Sequence, residues 1–243
     1  MAKDVRDDLS RSTEPRQFGE RRSILLTSLS VTLFVATFFG LLLIGLVISP
    51  SASWTADEMR FVIAANNAHT AVSDMIAGTI EVVFGPTGAV LIGLATVGLI
   101  GAAKRSWFVA LQVALLIGIP SAAMGLMKLL VCRLGPDPSM LTYPPSGANG
   151  APMFSYPSGH TAFAAAWALA LLVVLDRRRL RGALFFVALG LVVVTGWSRL
   201  YLGVHYGTDV LASMVLVPVT TLAVASVTAR LRMSHRVPST RSA

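Results

Sequence analysis

The chain has 243 residues, 54% of them hydrophobic and only 13% charged, with a formal net charge of +8 and a mean hydropathy of +0.70. Soluble domains carry about a quarter charged residues, so this composition excludes an ordinary water-covered globule. The charge is gathered in short clusters, between uncharged stretches long enough to cross a hydrocarbon core of about 30 Å.

Residues 1–22 are charged, mixed in sign and poor in apolar side chains, which predicts an irregular cytoplasmic tail. A membrane domain over residues 23–230 follows, then a short basic tail over 231–243. Six apolar stretches are predicted to span: Ile24–Ile48, Pro86–Ala103, Trp107–Val131, Gly159–Leu175, about Leu180–Trp197 and about Tyr206–Ala229. The second begins earlier if the segment after Ser73 joins it. The first is too long for a signal-peptide core and lacks a small-residue cleavage pattern, so it reads as a helix of the mature protein. Backbone polar groups have no water inside a bilayer, so each span is helical and the fold class is an all-α integral membrane bundle of six transmembrane helices.

Between the first two spans, Ser49–Phe84 is less apolar. Its "ADEMRFVIAANNAHTAVSDM" alternates in patches at helical spacing, which fits an interfacial helix on the outer face or a plain loop. Asp74 and Glu81 are seven apart and share a helical side. They read as solvated carboxylates, with pairing to Arg60 or another cation as the alternative. His69 falls in this segment and His235 in the tail, neither with catalytic company. The four tryptophans, Trp54, Trp107 and Trp197 among them, read as interface anchors. The next outer segment, Leu134–Pro157, holds six of the twelve prolines and three glycines, so it reads as an irregular loop.

Of the twenty Lys and Arg, all but Arg60, Lys128, Arg133 and Arg199 fall before the first span, after the sixth, or in the links after the second and fourth. Basic residues in short loops mark the cytoplasmic face. Both termini are therefore placed in the cytoplasm, and the excess charge reads as a topology signal rather than a nucleic-acid surface. The four exceptions lie on the outer side, where rim charges are costly and usually functional. Cys132 is alone, which excludes an intramolecular disulfide and a cysteine-based metal site.

The tripeptide PSG occurs at Pro145–Gly147 and at Pro157–Gly159. The first lies in the turn-rich loop. The second opens the fourth span: Ser158 stands at the N-cap position, Gly159 admits a ligand close to the backbone, and His160 adds a proton donor. A helix start carries unpartnered N–H groups and the positive end of the dipole, hence a ready anion site. In "WSRLYLGVHYGTD", His205 and Asp209 are four apart, so the carboxylate can fix one tautomer and leave the other imidazole nitrogen free to attack. Arg199 precedes them, and Lys128 and Arg133 lie at the outer end of the third span. Cations, a helix N-terminus, an oriented His and a second His form an inventory for phosphoryl transfer without a metal or other cofactor.

Each element has a plainer reading alone. The His–Asp pair also suits a metal ligand pair or a satisfied helix end, PSGH an ordinary N-cap, and Arg199 a side chain reaching lipid phosphates. Together these would all have to hold on one face.

These motifs resemble the type 2 phosphatidic acid phosphatases, whose signatures are Lys with Arg-Pro seven residues on, then PSGH, then Ser-Arg, five residues, His, three residues and Asp. Pro157–His160 matches in full, as do Ser198, Arg199, His205 and Asp209. In "KLLVCRLGP", Lys128 and Pro136 fit but Gly135 stands where Arg is expected, and Arg133 is the candidate replacement. The resemblance implies His205 as nucleophile, Asp209 as its orienter and His160 as acid and then base. It implies Lys128, Arg199, Ser158 and Gly159, helped by Arg133, as phosphate ligands. The implied substrate is a lipid-linked phosphate reached from the outer leaflet: a polyprenyl diphosphate such as undecaprenyl diphosphate first, phosphatidate or phosphatidylglycerophosphate next. A lipid phosphotransferase with the same residues, and a non-catalytic binder motivated by Gly135, are the rival readings.

Overall fold

The computed structural model describes residues 2–145, 154–175 and 178–234. The second and third residues of the first PSG copy, and also Arg177 and His235, lie outside the described residues. Among those described, eight α-helices follow one another: α1 (Ala2–Ile48), α2 (Ala52–Asn66), α3 (Ala71–Phe84), α4 (Pro86–Lys104), α5 (Trp107–Val131), α6 (Gly159–Val174), α7 (Arg181–Tyr201) and α8 (Gly207–Ser234). Residues 2–22 continue α1, where the charge pattern predicts an irregular tail. The segment contains one strong helix breaker, Pro15, and is otherwise rich in residues of ordinary helix propensity.

The helix boundaries follow local chemistry. Ser51 caps α2 by accepting from the Trp54 N–H at 3.3 Å, and Thr70 caps α3 by accepting from Ser73 at 3.2 Å. Extended backbone at Gly85, with Pro86 in the first turn, separates α3 from α4. The segment read as one interfacial helix or loop is thus two helices, and α3 does not join the second span. Among the described residues, five helices are long and apolar enough to cross a membrane: α1 from Gly19, then α4, α5, α7 and α8.

The fourth predicted stretch differs. Helix α6 has 16 residues, about 24 Å at 1.5 Å per residue, short of the ~30 Å core. It packs against α5, α7 and α8, and its run Thr161–Ala166 is fully buried. Small side chains let the neighbouring backbones approach closely. A helix wrapped in protein need not match the lipid thickness.

Around α6 and α8 the core is continuous. Phe38 of α1, Met127 of α5, Ala165 of α6, Val192 of α7 and Leu216 of α8 belong to one buried cluster. A second cluster joins Phe84, Leu116, Phe163 and Val224. Interhelical hydrogen bonds add specificity: the Ser30 and Ser226 hydroxyls meet at 2.6 Å, and Gln112 donates to Thr228 Oγ1 at 3.1 Å. Trp167, unlike the other tryptophans, works inside the bundle, its Nε1 donating to Thr96 at 2.9 Å. Leu29, Leu94, Leu99, Leu129 and Phe186 are exposed, as side chains facing lipid tails should be.

One end of the bundle carries α2, α3, the loop after α5 and the α7–α8 link. Met59, Val62, Leu141 and Tyr206 seat α2 there. Buried Asn66 donates to the Tyr143 and Tyr201 carbonyls at 2.9 and 3.1 Å. His69 is not a bystander: it stacks between Tyr143 and Tyr201, each 4.2 Å away, and its Nδ1 meets Asp74 at 2.7 Å. In the α7–α8 link, Gly203 has φ +68°, and a Cβ there would lie 2.2 Å from Leu141 Cδ1. Only glycine fits that turn.

Candidate active site

Each predicted site residue lies at this end. Helix α5 delivers Lys128 from its last turn and Arg133 just beyond, where Cys132 turns left-handed (φ 52°) and ends the helix. The Pro-rich loop returns through an isolated bridge between Leu134 and Phe154, and Ser155 N–H donates to the Arg133 carbonyl at 2.7 Å. The Lys128 ammonium donates to the Phe154 carbonyl. The loop therefore sets Ser158 and the start of α6 beside the end of α5.

Ser158 occupies the N-cap position, but its side chain makes no cap hydrogen bond. Its Oγ accepts from Thr161 Oγ1 (3.1 Å), its N–H donates to the Asp209 carbonyl (3.0 Å), and its carbonyl accepts from Ser213 Oγ (2.8 Å). Ser158 is buried and locks α6 to α8, while Gly159 is exposed and His160 half-buried. The helix start is thus held in place by its cap residue without being closed by it.

His205 and Asp209 face each other, Nδ1 to Oδ2, at 3.5 Å. Asp209 is fully buried. Its Oδ2 also accepts from the Tyr206 N–H at 2.8 Å, and its Oδ1 accepts from Arg133 Nη1 at 2.9 Å. Burial pushes the His205 imidazole below its ordinary value of 6.5; Asp209 opposes that, while Lys128 and His160 push the same way. A neutral imidazole oriented through Nδ1 presents Nε2 as a nucleophile.

Arg133 is predicted at a phosphate, but both its terminal nitrogens are engaged elsewhere. Nη1 donates to Asp209 and to Thr208 Oγ1 (2.8 Å), and Nη2 donates to Glu58 Oε2 (2.7 Å). The guanidinium is buried and lies 4.2 Å from the Tyr206 ring centre. Glu58, which the sequence reading passes over, also accepts from the Thr208 N–H and hydroxyl. The Trp54 Nε1–H donates to it at 2.9 Å.

Arg199 is fully buried, and its Nε and Nη2 donate to Ser198 Oγ at 3.1 and 3.0 Å. Its Nη1 donates to Glu81. The same Glu81 oxygen lies 3.5 Å from His160 Nε2. The His160 ring, followed by Arg199, holds the Glu81 carboxyl down to about 2, against the opposing effect of partial burial. Glu81 and Asp74 therefore keep solvent exposure and also have partners: Arg199 and His160 for Glu81, Tyr201 and His69 for Asp74. Arg60 pairs instead with Asp57, at 3.7 Å on the surface. Among the described residues, no three His, Cys, Asp or Glu side chains gather as a metal-ion set.

The model of the PAP2 superfamily matches residues 109–233 of this sequence. The chain belongs to the PAP2 superfamily. A crystal structure of a transmembrane PAP2 type phosphatidylglycerolphosphate phosphatase from Bacillus subtilis superposes with a TM-score of 0.62. The two share 20% identity over 85% of this chain and 98% of that one, which shows a common fold. No curated protein matches. Within this PAP2 chain the family-matched segment runs from α5 to α8, and Glu58 and Glu81 lie before it.

The Arg133 pairings make a prediction about stability. Arg133→Ala leaves Glu58 and Asp209 facing each other without their cation, and breaking a buried pair costs about 3–5 kcal/mol. Thermal unfolding in detergent should show a clear loss, partly recovered when Glu58→Gln is added. An unchanged midpoint for Arg133→Ala would remove the buried pairing.

Proposed function

We propose that the chain is a membrane phosphatase that hydrolyses a lipid-linked phosphate or diphosphate through a phosphohistidine. The supporting observation is the meeting of the His205–Asp209 pair with His160, Lys128 and the open start of α6. Family membership supports the same reaction class. In the first step His205 Nε2 attacks phosphorus, the bond to the leaving oxygen breaks, and His160 gives that oxygen a proton. In the second, His160 takes a proton from water as the water oxygen attacks phosphorus. The phosphorus–nitrogen bond breaks, releasing inorganic phosphate and restoring neutral His205.

Asp209 holds His205 in the attacking tautomer, and Arg133 holds Asp209. Lys128, Arg199 and the backbone around Ser158 and Gly159 bind the phosphoryl oxygens. Arg133 then contributes through Asp209 rather than as a phosphate ligand in place of the residue missing at 135. A polyprenyl diphosphate remains the first substrate candidate. Phosphatidylglycerophosphate, named for the Bacillus subtilis protein of the same fold, and phosphatidate follow.

In this reading α6 is a short sixth span, and the clustering of basic residues at the termini and in two links supports cytoplasmic termini and a site at the outer leaflet. A reporter fused after Ala243 should read cytoplasmic and one inserted at Gly147 external; the reverse pattern would refute this orientation.

Purified protein in detergent should release phosphate from at least one of these lipids with EDTA present, and His205→Ala should abolish it. Equal release by wild type and His205→Ala would end the phosphohistidine mechanism, and loss with EDTA would end the metal-free one. The pH dependence carries a sign. Because burial lowers the His205 value, the nucleophile stays neutral to below pH 6.5, so the acid limb of kcat/KM should fall below that pH. An acid limb above 7 contradicts a neutral, buried His205.

A further inference from the structure

Glu81 makes contacts that a phosphate oxygen is expected to make. Its Oε2 touches Arg199 Nη1 and lies 3.5 Å from His160 Nε2. Nη1 is the part of Arg199 left for a ligand, since Nε and Nη2 are given to Ser198. His160 Nε2 is buried and, with Glu81 at 3.5 Å, has no hydrogen-bond partner. A carboxylate and a phosphoryl group share charge sign and acceptor geometry, so the two compete for the same donors.

The three carboxylates around the site are held differently. The side chains of Asp209 and Glu58 are 0% and 12% exposed, and each is tied by several donors. Glu81 is 49% exposed and sits in the last turn of α3, next to the Gly85 break. A Cβ on Gly85 would stand 3.6 Å from His160 Nε2, so the end of α3 lies against that ring. Turning Glu81 toward water breaks its two site contacts and opens no part of the core.

We propose, resting on the phosphatase reading, that Glu81 is a displaceable plug: it holds the phosphate position on Arg199 and His160 and swings to solvent when a lipid phosphate enters. Every anion must break the same contacts to bind. A lipid substrate meets that cost at the high local concentration of the bilayer beside the site, whereas inorganic phosphate meets it from dilute solution. Glu81 thereby weakens the hold of the site on any phosphoryl group, free phosphate included, and, by returning to Arg199 after the second step, helps expel the product.

The test is inhibition by inorganic phosphate in wild type, Glu81→Gln and Glu81→Ala. Removing the competing charge should lower the phosphate inhibition constant roughly tenfold, equivalent to about 1.4 kcal/mol, and lower KM for the lipid as well. If Glu81 instead serves only to position Arg199, both constants rise; unchanged or higher constants overturn the plug. Calorimetric titration of inorganic phosphate into the same proteins separates this from the activity claim. Tighter phosphate binding by the variants supports the plug even in a protein that hydrolyses no lipid. Binding to neither wild type nor variants overturns both the plug and the phosphate site. Glu81→Ala guards against a glutamine that keeps the hydrogen bond, and because the side chain is half-exposed, both variants should fold.

Discussion

A carboxylate shut away from water has to find donors inside the protein or give up its charge. Asp209 finds them in two places, the guanidinium that follows α5 and the Tyr206 backbone N–H of the α7–α8 link, while the imidazole four residues before it faces it at 3.5 Å. Its own backbone carbonyl receives the N–H of Ser158. One residue thus fixes the end of α5 and the starts of α6 and α8 relative to one another. Loss of a partner leaves a buried charge uncompensated, a penalty of several kcal/mol. The loop, the glycine turn at 203 and the packing of α2 are arranged around a charge that cannot move.

The parts of this fold that were legible in the sequence are those dictated by local rules. Lipid requires long apolar helices, so α1, α4, α5, α7 and α8 stand out. The prolines of 134–157 preclude a regular helix there, whereas a single proline does not decide: Pro86 opens α4, but Pro120 and Pro218 lie inside α5 and α8, so the sequence left open whether α3 joined the second span. The His205 to Asp209 spacing brings the pair to one side of the link because both ends belong to one local turn. Helix α6 was legible as a helix, but not its recessed place in the bundle, because its length is set by protein neighbours rather than by lipid.

Glu58 and Glu81 were illegible for a different reason. Each sits on a short helix whose mixed pattern reads as a water-facing surface, and nothing nearby in sequence announces a partner. Their cations are 75 and 118 residues away. An available hint was an excess rather than a motif: arginines outside the clusters that set topology need counter-charges, and α2 and α3 hold carboxylates at the same end of the bundle. That inference names the helices but not the pairs, since which carboxylate meets which cation follows from how α2 and α3 lie across the bundle end.

Those pairings grade the positive charge of the site by availability. Arg133 is committed, because buried Asp209 and nearly buried Glu58 both hold it. Lys128 is directed to a neutral carbonyl, so its charge is not cancelled by the contact it makes. Arg199 lies between these cases, buried itself but facing a carboxylate that reaches solvent. Coulomb energies grow as the local dielectric falls, so a site with all its cations bare would bind any passing anion strongly and release product slowly. Under the proposed function, one cation behind Asp209, one on a carbonyl and one behind a half-exposed glutamate would leave a field to orient a phosphoryl group while three carboxylates balance three cations. Arg133, two residues before Gly135, is devoted to Glu58 and Asp209, so its pairings do not make up for an arginine at 135.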